Sequence, residues 1–179
     1  VVRLIDLVMN TYTKLAKSAA EHFVKTGEPL PVPTLLPSEL YRQRACYVSI
    51  MENPGRYLRA MAGEALPRQA NLAQEIIMNT VTAMAAQPHR RIRQADLAYL
   101  SYSVALLGPL QRISDHIHLD PNRFGLYVKS LGKSALLLPR RVGVETPNDQ
   151  IATALREAGI DGRRDEVTMY RFEVTYFEG

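Results

Sequence analysis

The sequence predicts an α+β fold: a largely antiparallel sheet with helices packed on it. Three observations predict it. Short alternating apolar runs come in pairs joined by tight turns, which makes hairpins and hence antiparallel pairing. Longer stretches carry apolar residues at spacings of three and four, which makes amphipathic helices. The order hairpin, helix, strand occurs twice along the chain, as a pattern rather than as repeated residues.

Each element follows from its local residues. Ile5, Val8, Tyr12, Leu15, Ala19 and Phe23 form one stripe, so Leu4 to Thr26 is a helix, capped by Gly27 and followed by Pro29. Four prolines between Glu28 and Ser38 impose an extended connection. Arg44, Cys46, Val48 and Ile50 alternate with Ala45, Tyr47, Ser49 and Met51, the pattern of a strand. Glu52-Asn53-Pro54-Gly55 is a turn, and Arg56 to Gly63 is the return strand. A second helix covers Gln69 to Gln87, with Leu72, Ile76, Ile77, Thr80, Val81 and Met84 on one face. Tyr99 to Leu107 is a strand ended by Gly108-Pro109. Phe124 to Ser130, a Leu131-Gly132 turn and Lys133 to Leu138 form the second hairpin. Thr146 caps a third helix with Pro147 at its first position, running to Ala158 and stopping at Gly159. Val167 to Phe177 alternates, with Tyr170, Phe172, Val174 and Tyr176 on the one buried face.

Composition excludes several classes. The chain has 179 residues, a single cysteine and no tryptophan. One thiol can form neither an internal disulfide nor a cysteine-rich metal cluster, which points to a reducing, cytoplasmic setting. No apolar run approaches the ~20 residues of a membrane span, and no signal peptide is visible, so no membrane partner is expected. The first residue is Val1 rather than Met, so a trimmed or excised domain is one expectation. The net charge is +4, but it is unevenly spread: residues 90–141 carry +6 and residues 142–179 carry −4. Arg90, Arg91 and Arg93 are the densest basic cluster. They suit a nucleic-acid or other anionic contact, or simply a solvated loop.

Other motifs are weaker. His116, His118 and Asp120 would share a face if their segment were extended, as a metal site needs, but a solvated loop is the simpler reading and no metal is expected. Cys46 alternates with Val48 and Ile50, so it reads as a buried small hydrophobe rather than a nucleophile served by His22, His89, His116 or His118. No glycine-rich phosphate loop occurs, and no cofactor is expected. Arg44 and Arg59 lie on neighbouring hairpin strands amid small residues, including Gly63. Small side chains admit a ligand, and arginine supplies a fork for an anion. A structural arginine at a sheet edge is the even alternative.

At this hairpin the chain resembles the AMMECR domain family, also called AmmeMemoRadiSam system protein A. The residues that carry the resemblance span nearly the whole chain. They are Gly27 to Pro33, Arg44 to Ile50, Leu58-Arg59-Ala60-Met61-Ala62-Gly63, Phe124 to Val128, Ser134 to Pro139, Ala158-Gly159-Ile160 and Tyr170-Arg171-Phe172. The family signature Leu-Arg-Gly-Cys-Ile-Gly keeps only Leu58, Arg59 and Gly63, and Met61 stands at its cysteine. The family's Asp-Pro-Arg-Phe is reduced to Gln87-Pro88-His89-Arg90. Methionine is no thiolate nucleophile, so cysteine chemistry is not available at that position. The resemblance implies two related β-rich subdomains meeting at a cleft within a single domain. It also implies an unestablished activity, with a Memo-like protein and a radical SAM enzyme as companions.

Three functions follow as expectations. The first is a module that binds an anionic ligand or partner through Arg44, Arg59 and Gly63, in an accessory or substrate-handling role of a modification pathway. The second is an enzyme subunit in RNA or small-molecule modification, with catalytic residues unknown. The third is a nucleic-acid-binding domain using Arg90, Arg91 and Arg93.

Overall fold

A computed structural model describes residues 4–86 and 90–179, with only the backbone described for residues 4–10. The class is α+β, as the sequence predicts: the described residues form three α-helices, seven antiparallel strands and short 3-10 turns. The chain divides into two compact units, residues 1–106 with 176–179 and residues 107–175. Among the described residues no helix is long and apolar enough to cross a membrane.

The first unit opens with α1 (Leu4–Thr26). Its predicted stripe is real where side chains are described: Tyr12, Leu15 and Ala19 are buried, and Phe23 packs at the margin. Gly27 ends the helix at φ 78°, a conformation that costs glycine little. The proline-rich connection is no free strap, because Leu30, Val32 and Leu36 turn inward against the same core. Strands β1 (Cys46–Glu52) and β2 (Tyr57–Gly63) form the predicted hairpin. Helix α2 (Leu72–Ala85) packs on both. Strand β3 (Leu100–Leu107) then pairs antiparallel with β1. The alternation in β1 sends Cys46, Val48 and Ile50 into the core beneath Ile76 and Ile77 of α2.

The second unit repeats this plan. Strands β5 (Phe124–Ser130) and β6 (Lys133–Leu137) form a hairpin, and α3 (Pro147–Ala158) packs on both. Strand β7 (Thr168–Glu178) pairs with β5, as β3 does with β1. Thr146 caps α3 as expected, and Asp149 completes a capping box by accepting from the Thr146 backbone. Leu126, Val128, Leu137 and Ala154 form this unit's core.

One strand was not expected, and two expectations need correction. Strand β4 (Gln111–Ile113), which pairs with β7, is too short for its alternation to show in the sequence. The predicted single buried face of β7 is too simple. Phe172 is buried as expected, but Met169 on the opposite face packs into the second core. The segment His116–His118 is a 3-10 turn rather than extended, so side chains two apart do not share a face there.

Candidate functional site

The hairpin β1–β2 carries an irregularity that the sequence does not announce. Ile50 pairs with Ala60, but the next residue, Met51, pairs with Leu58. Arg59 is therefore the extra residue of a β-bulge, and bulges re-aim a side chain. The re-aimed guanidinium donates to the Glu52 carboxylate at 3.4 Å and to the main-chain carbonyl of Arg90 at 3.1 Å. The side chain is only 14% exposed.

Arg59 lines a cavity of about 310 Å³ with Glu52, Asn53 and Pro54 of the hairpin turn and with Asp96, Tyr99 and Leu100. The register explains the company: Glu52 pairs with Tyr57 across one ladder and with Leu100 across the other. Asn53 continues the contact, its N–H donating to the Tyr99 carbonyl at 2.8 Å. Asp96 is held by accepting from the Arg93 N–H at 2.8 Å. Tyr99 lies in a 3-10 turn just before β3, not in the strand, and is 64% exposed. The cavity thus offers a planar cation, an aromatic ring and two carboxylates.

The other expected residues lie elsewhere. Arg44 is exposed and precedes β1. Seven positions separate it from Met51, beside the bulge, or roughly 20 Å at strand spacing. The structure does not bring Arg44 and Arg59 to one point. Gly63 sits opposite Tyr47, and a Cβ there would run into the Tyr47 ring and the Cys46 carbonyl. Its smallness serves close packing within the hairpin. Met61 is exposed on β2, opposite Ser49.

Arg90, Arg91 and Arg93 are all exposed. Arg91 borders a separate, mostly apolar cavity of about 420 Å³ with Phe23, Val24 and Met84. Gln87, Pro88 and His89, at the end of the predicted second helix and in the reduced family motif, lie outside the described residues.

Cys46 is fully buried. Burial pushes its thiol up to about 12, against a smaller lowering by the Asn79 side chain, so it is a neutral core group at neutral pH. Among the described residues no three His, Cys, Asp or Glu side chains converge as a metal ion would need. His116 Nδ1 does lie 2.8 Å from the Asp115 carboxylate, with both side chains more than half exposed.

Sequence reasoning missed Glu52, Asp96 and Tyr99 as companions of Arg59. Only the strand register brings them together, and nothing in their local pattern marks it.

Comparison with known proteins follows this geometry. The family model described as AMMECR1 matches residues 13–177. A protein of Thermotoga maritima is 32% identical over 169 residues, which cover 93% of this chain and 97% of that protein. A protein of Clostridium acetobutylicum is 31% identical over 167 residues, 92% of this chain but only 35% of that longer protein. The crystal structure of an uncharacterized protein, PH0010, from Pyrococcus horikoshii matches with a TM-score of 0.83 at 24% identity. That match covers 94% of this chain and 89% of the other, and it shows a shared fold.

Proposed function

The chain belongs to the AMMECR1 family, and from that premise we propose that it is a binding module that takes the anionic group of a ligand or partner at Arg59. One observation carries this reading: a mostly buried guanidinium, re-aimed by a bulge, whose ion pair is loose. Charge-assisted pairs close to about 2.7–2.9 Å, whereas Arg59 and Glu52 stand at 3.4 Å. Glu52 is about half exposed, so it can turn to water when a carboxylate or phosphate arrives. The Arg90 carbonyl keeps the fork in position meanwhile. Asp96 is already engaged by the Arg93 N–H, and Tyr99 supplies an apolar flank.

Arg44 adds to this only for a partner long enough to reach along the hairpin. Gly63 contributes by letting Tyr47 close over the strand. An accessory or substrate-handling role in a modification pathway, beside a Memo-like protein and a radical SAM enzyme, is the setting that fits. The family resemblance supports that setting, as does the Clostridium acetobutylicum relative, in which the matched stretch is part of a longer chain.

The test compares wild type with Arg59→Ala, using inorganic phosphate and citrate as probes. Loss of binding with an unchanged melting temperature supports the reading. Equal binding by the two proteins removes it.

An enzyme subunit is the second reading, favoured by the Asp115–His116 contact, which orients an imidazole for proton transfer. Nothing around that exposed pair excludes water, which places this reading behind the first. Nucleic-acid binding through Arg90, Arg91 and Arg93 stands third and rests on their exposure.

A further inference from the structure

Strand register gives the second unit two unlike sheet faces. Leu126, Val128 and Leu137 lie on the face that α3 covers, and they build that unit's core. The residues between them make the opposite face. One row across the strands there is Arg112 of β4, Tyr170 of β7, Tyr127 of β5 and Leu136 of β6. The next row is Thr168, Lys129 and Ser134.

This face is open at those two rows. Arg112, Lys129 and Ser134 are exposed, and the two tyrosines are half-buried. Gly125 and Phe172 form the row on the other side of the tyrosines and are both buried, so the open surface begins at the tyrosine row. The two rings stand side by side, with centroids 6.0 Å apart and planes inclined at 33°. Arg112 flanks Tyr170 and Lys129 follows Tyr127, which puts the two cations roughly 12 Å apart at sheet spacing. The Lys129 ammonium stands 5.5 Å from the Tyr170 centroid. Such a contact is weak where water reaches it, and it yields readily to a phosphate.

Charge supplies the second observation. Among the described residues neither Arg112 nor Lys129 is in an ion pair. Arg123, Lys133 and Arg141 of the same unit all have carboxylate partners. The two open rows hold no carboxylate of their own. Glu166 borders the Thr168 end and is exposed. Two uncompensated cations beside two rings complement a polymer that carries both anions and flat bases.

We infer that this face binds single-stranded nucleic acid. Tyr127 and Tyr170 offer their rings to two bases. Arg112 and Lys129 take the backbone phosphates, and the hydroxyls of Ser134 and Thr168 are partners for sugar and phosphate oxygens. A duplex keeps its bases stacked on one another, so it cannot use the rings. The surface is distinct from the Arg59 cavity and from Arg90, Arg91 and Arg93, all of which belong to the first unit.

The experiment follows the anisotropy of fluorescein-labelled oligouridylate and oligothymidylate with the full chain, at several salt concentrations. Wild type binds at least one of them, and unlabelled duplex of the same length competes poorly. Arg112→Ala with Lys129→Ala weakens binding roughly tenfold or more and lowers the log–log salt slope by about 1.4. Arg112→Lys with Lys129→Arg retains binding. Tyr127→Ala with Tyr170→Ala weakens it roughly tenfold or more at an unchanged salt slope. Tyr127→Phe with Tyr170→Phe keeps both rings and binds as wild type does, which separates stacking from any loss of fold in the alanine variant. Arg59→Ala and Arg90→Ala also bind as wild type does. The tighter probe identifies the sugar, and equal affinities mean that base and phosphate alone are read. Binding of neither probe overturns the proposal. So does binding that survives loss of both cations, that disappears in the phenylalanine variant or with Arg90→Ala, or that duplex displaces as well as single strand.

Discussion

The guanidinium of Arg59 donates to the main-chain carbonyl of Arg90 at 3.1 Å. This contact ties the bulged end of a hairpin to the start of the basic run, thirty-one residues away in sequence. Two features that read as separate candidates along the chain thus share one atom pair. Arg59→Lys should lose most of it, because a lysine cannot hold Glu52 and the Arg90 carbonyl in one planar fork. Hydrogen exchange at the residues following Arg90 should quicken in that variant, while exchange in α2 stays as in wild type.

The lone cysteine should make the protein sensitive to alkali. The thiol ionises near 9.0 in the unfolded chain and near 12 in the folded one. Its folded pKa is raised, so below pH 9 both states hold the proton and stability is unaffected. Between pH 9 and 12 the unfolded chain binds fewer protons, and stability falls by about 1.4 kcal/mol per pH unit from this group. Tyr47 and Tyr102, both pushed up to about 12 chiefly by burial, act in the same direction from pH 10 upward. Urea midpoints measured from pH 8 to pH 11 should fall, less steeply in Cys46→Ala. The native thiol should also resist iodoacetamide at pH 8.

The repeat extends to individual hydrogen bonds. Asn79 on α2 donates to the carbonyl of Cys46, the first residue of β1, at 2.9 Å. Gln150 on α3 donates to the carbonyl of Phe124, the first residue of β5, at 2.8 Å. Each carboxamide fastens a helix to the start of its hairpin. Asn79→Ala and Gln150→Ala should each cost about 1–3 kcal/mol by leaving a carbonyl unpaired, read from urea denaturation. A loss in one variant only would mean the two bonds are not equivalent.

Glu75 is 2% exposed, and its carboxylate accepts from the backbone N–H groups of Arg68 at 2.9 Å and Gln69 at 2.8 Å. It anchors the loop that leads into α2. Glu75→Ala should cost roughly 2–4 kcal/mol, and Glu75→Gln less, because both N–H groups donate to one oxygen and an amide oxygen in its place still accepts them. Thermal unfolding of the two variants checks the order.

What was legible in the sequence was periodic. The helix from Leu4 to Thr26, the strand from Phe124 to Ser130 and the helix from Pro147 to Ala158 have the bounds their patterns predict. Caps such as Thr146 and Gly159 announce themselves because one residue does the work. The doubled hairpin–helix–strand order was legible for the same reason. The site was not. A bulge adds one residue to a strand, and Leu58-Arg59-Ala60 carries no mark of it. The distance between Arg44 and Arg59 depends on register, and register is a property of two strands together. The His116–His118 turn shows the converse: spacing of two is easily found, and it implies a shared face only in extended backbone.

The central claim is that Arg59 receives an anion, and the Arg59 Nε–H resonance reports on it directly. Wild-type protein is titrated with inorganic phosphate and with citrate while that signal and the Tyr99 amide are followed by NMR. The account predicts saturable shifts at both, with no comparable shift at the Arg44 amide. Signals of Arg59 and Tyr99 that stay fixed while the anion saturates elsewhere would contradict it.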